Sequence, residues 1–196
     1  MHRALYLLGV GYLAICGAVV LRHRASAAPQ PVGVQLQAQP PRFDGPGPEW
    51  FAAMKPFCNA VEVELAQLRH PAPATLDGDG YSAACYALGG RIDLARQVID
   101  RLPQPDRYSA AGIVFDIAHP VADAGDNRSA GPIMELVVEY WPNHYMALYH
   151  AGMAEFALSE SALAQKNLQA FLSYYHENDG WTQSARETLA RLKVVQ

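Results

Sequence analysis

The body of this chain contains no run of lysine and arginine. The 196 residues include 15 Lys and Arg against 19 Asp and Glu, which gives a formal net charge of −4. Proteins that hold nucleic acid neutralise its phosphates with a basic face, and this sequence does not indicate one. Nucleic acid is therefore not expected as a partner.

The common short motifs of catalysis and cofactor binding are also missing. The sequence has no glycine-rich phosphate loop, no GxSxG nucleophile turn, no HExxH pair and no CxxC pair. Because such motifs supply phosphate cradles, nucleophiles and metal ligands, their absence favours a non-catalytic protein with no cofactor and no metal site. Hydrophobic residues make up 51% of the chain, which is enough to form a substantial core.

Cysteine is scarce, with Cys16, Cys58 and Cys85 as the three examples. Cys16 lies in an apolar run, so Cys58 and Cys85 are the candidates for a pair in the globular part. Two interpretations stay open for them. They could form a disulfide in an oxidising compartment, or they could be two separate buried thiols, which the frequent burial of free cysteine favours.

The chain begins with an apolar segment. Residues 4–21 carry no charged side chain and are bounded by Arg3 and Arg22. A helix of this length, rising about 1.5 Å per residue, is at the short end of what crosses an apolar bilayer core of roughly 30 Å. We predict a membrane anchor or signal-like segment over residues 1–24, with residues 4–21 in the membrane and the following domain outside the cytoplasm. A cleaved signal peptide and a lipoprotein modified at Cys16 are the alternatives.

The composition then changes twice. Residues 25–47 are rich in proline, glutamine, glycine and alanine and contain few charges. Such a segment cannot bury enough apolar surface to fold alone, so we predict a disordered linker there. Residues 48–196 regain regular apolar spacing and are predicted to form a helical domain.

Within that domain, three helix joints recur at nearly equal spacing. Gly90, Gly125 and Ser159 each stand between two amphipathic stretches, at separations of 125 − 90 = 35 and 159 − 125 = 34. Small residues recur seven before and five after each joint, and large apolar residues recur nine and twelve after it. These positions are Ala83, Ala118 and Gly152; Ala95, Ala130 and Ala164; Ile99, Met134 and Leu168; and Leu102, Val137 and Phe171.

A helix–turn–helix unit with a period of about 34 residues resembles the tetratricopeptide repeat family. The resemblance covers Asp77 to about Asn178, and its third copy matches best. It implies an all-α fold: a right-handed helical-repeat solenoid of about three helix pairs, with a helix before the array and a capping helix from Trp181 after it.

Two further expectations concern the ends and the middle of the array. Pro120 stands inside the first helix of the second pair, where a missing N–H donor should break or kink the helix. Phe57, Ala60, Val61, Leu65 and Leu68 recur at helical spacing ahead of the first pair, so we expect them to pack against it.

In the family that the sequence resembles, the first helix of each pair lines a concave peptide-binding face. The resemblance therefore implies a groove that binds a protein or peptide through apolar and polar side chains, with the partner unknown. Carried over position by position, its lining comprises Phe115, His119, Asp123, Asn143, His144, Tyr149, Met153 and Phe156.

Two other functions compete with a membrane-tethered, non-catalytic binding scaffold. Asp116, His119, Asp123 and His144 could form the centre of a small metal-dependent enzyme, because carboxylates and imidazoles bind divalent ions and transfer protons. Alternatively, the repeat faces could pair two copies of the chain. A structural role is also open for Asp126, which could cap a helix beginning near Ser129.

Overall fold

The structure, a computed structural model, describes residues 42–194, and this range is helical. It contains nine α-helices and no strand. The predicted all-α fold class is therefore confirmed. The predicted anchor at residues 1–24 and most of the predicted linker lie outside the described residues. Between residues 42 and 194, no helix is both long and apolar enough to cross a membrane.

The helices follow one another with short connections. In chain order they are α1 (Gly47–Met54), α2 (Val63–Arg69), α3 (Leu76–Leu88), α4 (Ile92–Asp100), α5 (Gln104–Asp123), α6 (Asn127–Tyr140), α7 (Tyr145–Ala157), α8 (Ser161–Tyr174) and α9 (Gly180–Val194). A single 3-10 turn, Lys55–Phe57, follows α1. The pairs α3/α4, α5/α6 and α7/α8 are the three helix pairs expected from the sequence, and the helices of each pair contact each other.

The three predicted joints share one backbone conformation. Gly90, Gly125 and Ser159 have φ values of 73°, 78° and 68°, in the left-handed region. The third joint shows the pattern: the N–H of Ser159 donates to the Phe156 carbonyl at 3.1 Å, and the N–H of Glu160 donates to the Glu155 carbonyl at 2.8 Å. This is a Schellman motif, which satisfies the last carbonyls of a helix. Equivalent bonds close the other two joints.

The recurring apolar positions form the core. All twelve are buried except Leu102, which is partly buried. The glycine at position 152 permits a close approach, because a Cβ built there would lie 2.7 Å from Cγ of Leu168 on α8. Small residues at the pattern's positions thus allow neighbouring helices to touch, and large ones fill the space between them.

The region ahead of α3 differs from the expectation. Val61 is 91% exposed, and Phe57, Leu65 and Leu68 are exposed as well. The prediction that they pack on the first pair is therefore wrong. The chain does not continue as one helix here: the 3-10 turn and a turn at Asn59, whose Oδ1 accepts from the N–H groups of Val61 and Glu62 at 3.0 and 3.1 Å, reset the register.

After this reset, different side chains of α2 face inward. Val63 and Gln67 are buried, and Gln67 donates a hydrogen bond from Nε2 to the carbonyl of Ser82 on α3 at 3.1 Å. A glutamine fills this inward position because α3 offers it both a carbonyl acceptor and a hydroxyl donor, Ser82 Oγ.

Cys58 and Cys85 form a disulfide, which decides between the two interpretations of these residues. The bridge ties the segment after α1 to the last turn of α3 across 27 residues of sequence. For a loop of that length, closure contributes about 3 kcal/mol to stability. Trp50, Phe51 and Met54 of α1 pack around it in the same core cluster.

Helix α5 continues through Pro120 to Asp123, so of the break or kink expected there, the break is wrong. The proline stands in the last turn of the helix and its ring is exposed, which limits the loss to one N–H donor. The helix then closes normally, since the N–H of Ala124 donates to the Pro120 carbonyl at 3.1 Å.

Helix α9 begins where Asp179 Oδ1 accepts from the N–H groups of Trp181 and Thr182, at 3.0 and 3.1 Å. It contacts both α7 and α8. Ala185 and Leu192 are buried. Leu189 is partly buried and packs against the core cluster that contains Leu168, Phe171 and Ala185.

Candidate functional site

An open cleft of about 510 Å³ lies between α5 and the turn that joins α6 to α7. Aromatic and imidazole side chains dominate its walls, with one carboxylate. The lining residues are Gly112, Phe115, Asp116, His119, Trp141, Asn143, His144, Tyr145 and Met146. Because its walls come from two consecutive helix pairs, the cleft depends on how those pairs pack.

Helical spacing builds the α5 wall. Gly112, Phe115, Asp116 and His119 stand at positions i, i+3, i+4 and i+7, which share one face of a helix. Gly112 faces the opposite wall, since a Cβ at that position would be in van der Waals contact, at 3.4 Å, with Cζ3 of Trp141.

A helix cap holds the other wall. His144 precedes α7, and its Nδ1 accepts a hydrogen bond from the N–H of Ala147 at 3.2 Å. This bond satisfies one of the free N–H groups at the helix start and fixes the imidazole ring. It also requires an unprotonated Nδ1, and burial lowers the pKa of His144. The capping ring is therefore neutral at pH 7.

Aromatic rings run continuously along the cleft. Tyr108 contacts Trp141 at a centroid distance of 3.8 Å, and Trp141 contacts His144 at 4.4 Å. Phe115 then lies 4.0 Å from His144 and 4.7 Å from His119. Rings at such separations interact favourably and hold one another in place. The cleft thus presents pre-positioned apolar faces to a ligand.

The charge of the cleft is low and negative. Asp116 is exposed in the α5 wall, and none of the described lining residues is Lys or Arg. A ligand carboxylate or phosphate would find no guanidinium or ammonium group there. The surface instead suits an apolar or aromatic group with neutral hydrogen-bonding neighbours.

The structure separates the predicted site residues. Phe115, His119, Asn143 and His144 line the cleft. Tyr149 is buried and lies 5.2 Å from Phe171 and 4.9 Å from Trp181 in ring-centroid distance.

The other two α7 residues also lie away from the cleft. Met153 packs against the core cluster of α7–α9, where its Sδ accepts from the hydroxyl of Thr188 at 3.6 Å. Phe156 is partly buried and is not among the cleft-lining side chains.

Sequence reasoning missed Trp141 and Tyr145. Both flank the turn in "WPNHY", where aromatic side chains stand on either side of the predicted Asn143 and His144. The concentration of rings at a turn is unusual enough to have been a signal. The groove positions carried over from the repeat pattern included Asn143 and His144 at this turn but not the two aromatic residues beside them.

A second group of polar side chains lies beside the cleft. Nε2 of His119 and Nε2 of His150 each lie 3.5 Å from Oδ1 of Asp123. Burial lowers the pKa of His150 to about 4, with the neighbouring His119 acting in the same direction and Asp123 opposing it. His150 is therefore neutral at physiological pH.

This arrangement differs from the metal set considered from the sequence. Within residues 42–194, the group close enough to share one ion is His119, Asp123 and His150. Asp116 and His144 lie in the cleft wall instead. Asp126 caps α6, since its carboxylate accepts from the N–H of Ser129 at 3.1 Å.

Comparison with protein-family models, with curated proteins and with solved structures finds no match for this chain. The resemblance to tetratricopeptide repeats therefore stays a prediction from the residue pattern.

Proposed function

We propose that this protein is a non-catalytic scaffold that binds an extended peptide segment in the aromatic cleft. The observation that supports this most is the open cleft of about 510 Å³ with its row of fixed rings. Concave, mostly apolar sites with a few polar groups are typical ligand sites, and apolar anchors dominate peptide recognition. An aliphatic or aromatic side chain of the peptide would lie against Phe115 and Trp141.

The scaffold we propose is a right-handed, tetratricopeptide-like solenoid of three helix pairs, with α9 as its cap. Its support is the recurrence of one joint conformation at Gly90, Gly125 and Ser159, together with the repeated burial of the same positions. Units of this kind cannot bury their apolar faces alone, and stacking supplies the core.

We also propose a membrane tether and an oxidising location outside the cytoplasm. Residues 4–21 and the linker that follows are predicted from the sequence to supply the tether. The disulfide between Cys58 and Cys85 supports the location, because such bridges persist in oxidising compartments and are rare in the cytosol.

A displayed library of random peptides, screened against the full chain in detergent, tests the binding. Peptides enriched by the wild type should share an apolar anchor. Their affinity, measured by fluorescence anisotropy, should fall at least about tenfold in Tyr145→Ala, because one buried aromatic contact contributes more than about 1.4 kcal/mol.

Tyr174→Ala is the matched control. Tyr174 is exposed like Tyr145 but is not among the cleft-lining residues. Its removal should leave affinity unchanged. No enrichment, or equal losses in the two variants, would refute the assignment of the cleft.

A further inference from the structure

Beyond peptide binding, we infer that His119, Asp123 and His150 form a binding site for a divalent transition-metal ion such as Zn²⁺. The inference rests on donor chemistry, on distances and on a buried nitrogen that lacks a partner. It requires no peptide in the cleft, although His119 also lines the cleft.

The donor set has the chemistry of a zinc site. Two imidazole nitrogens and one carboxylate oxygen are ligands that Zn²⁺ accepts, and two histidines with one carboxylate make a complete three-ligand protein set. His119 and Asp123 are one turn apart on α5, while His150 comes from α7. Two helices, already fixed by the core, therefore bring the three groups together.

The distances are close to those of a bound ion. Both imidazole Nε2 atoms lie 3.5 Å from Asp123 Oδ1, and all three donor atoms lie within 4.8 Å of one another. A tetrahedral ion with bonds of about 2.0–2.1 Å separates its ligands by roughly 3.4 Å. The two imidazole–carboxylate distances already have about that length, and binding would require the two imidazole nitrogens to move closer together.

The Nε2 atoms of the two histidines form no hydrogen bond with any described residue. The side chain of His150 is only 7% exposed, and its Nε2 has no hydrogen-bond partner between residues 42 and 194. The same is true of Nε2 of His119. Leaving a buried polar atom unpaired costs about 1–3 kcal/mol, so an ion at this point would remove a cost for two groups at once.

A fourth position would remain open. Asp123 is 48% exposed and His119 borders the cleft, so the ion would be reached from solvent. Sites with three protein ligands keep such a position for water or for a group of a bound molecule.

Zinc binding to the untagged full chain in detergent, in competition with a chromophoric chelator, tests the inference. We expect one ion per chain at this site. Asp123→Asn and His119→Ala should each lower the affinity at least about tenfold, since even residues outside the ligand shell affect affinity by that factor. In place of zinc, Co²⁺ should give visible absorption bands typical of four-coordinate nitrogen and oxygen ligands, lost in the same variants.

His176→Ala is the control, because His176 is exposed and distant in sequence from the three ligands. It should bind zinc like the wild type. Asp123 is half exposed, so its replacement by asparagine leaves the fold intact and a circular dichroism melt without metal verifies this. Absent binding, or binding that ignores both ligand variants, would overturn the inference.

Discussion

Asn167 donates a hydrogen bond from Nδ2 to Oε1 of Glu155 at 2.7 Å, inside the α7/α8 pair. Glu155 is 1% exposed, and no described residue donates to its Oε2. Burial raises the pKa of Glu155 to about 7, with Glu135 and Glu160 raising it further and Asn167 and Lys166 opposing them. The carboxyl group is thus about half protonated near neutral pH and becomes largely protonated as the pH falls further.

The unfolding free energy should therefore fall as pH rises from about 4.5 to 7. Over that range the unfolded chain releases the Glu155 proton while the folded chain keeps it, so the stabilisation present at low pH is lost. Glu155→Gln removes this dependence and should be more stable than the wild type by about 2 kcal/mol at pH 8. Urea unfolding at pH 5 and pH 8 measures the difference.

Asp126→Asn serves as the comparison, because Asp126 is an exposed cap and not a buried acid. It should not remove the loss of stability between pH 5 and 8. If Glu155→Gln were no more stable than the wild type at pH 8, the carboxyl would not be the group responsible.

Ser159→Gly should stabilise the protein by about 1 kcal/mol. Ser159 has a φ of 68°, which costs an L-residue roughly 1–2 kcal/mol and costs glycine nothing. The reverse change, Gly125→Ala, should destabilise by a similar amount, although no atom lies within 4 Å of the added Cβ. Thermal denaturation of both variants measures the effect, and changes of the same sign would contradict it.

Gly152→Ala should destabilise the protein by about 1–3 kcal/mol through overpacking. The added Cβ would lie 2.7 Å from Cγ and 3.1 Å from the backbone nitrogen of Leu168, which cannot swing away. Gly112→Ala is the matched change in another helix, where the nearest atom is at 3.4 Å. Helix propensity should then dominate and raise stability by about 0.5–1 kcal/mol. Chemical denaturation distinguishes the two.

Val61→Asp should change stability by less than about 0.5 kcal/mol, since Val61 is 91% exposed. Val63→Asp, two residues away, should destabilise by at least about 3 kcal/mol, because Val63 is 1% exposed and an unpaired charge would be buried. Expression and melting of the two variants provide the measurement. If both substitutions destabilised the protein equally, Val61 would be buried as the sequence pattern predicted, and the observed register would be contradicted.

Local chemistry explains which parts of the fold could be predicted. The joints at Gly90, Gly125 and Ser159 were identifiable because left-handed positions favour glycine and small polar residues at the end of a helix. The core positions follow from helical periodicity counted from those joints. Register failed ahead of α3, where the turn around Asn59 interrupts the spacing that the pattern assumed. It also failed on α7, where Tyr149 was expected in the groove and is buried.

The site was harder to predict, for a geometric reason. His119 and Asp123 are one turn apart and readable from the sequence, but His150 joins them only because α6 packs against both α5 and α7. Similarly, the cleft takes Trp141 and Tyr145 from a turn whose orientation no periodicity describes. Contacts between residues distant in sequence depend on helix packing, which spacing alone does not fix.

The disulfide also determines how the domain would respond to a pulling force. Tension applied at Arg42 has to pull Trp50, Phe51 and Met54 of α1 out of their core cluster before it reaches Cys58, which is covalently held to Cys85. With 58 − 42 = 16 residues free to extend at about 3.3–3.6 Å each, the slack is limited to roughly 55 Å. Further load would pass through the bridge into the last turn of α3, where Cys85 is fully buried.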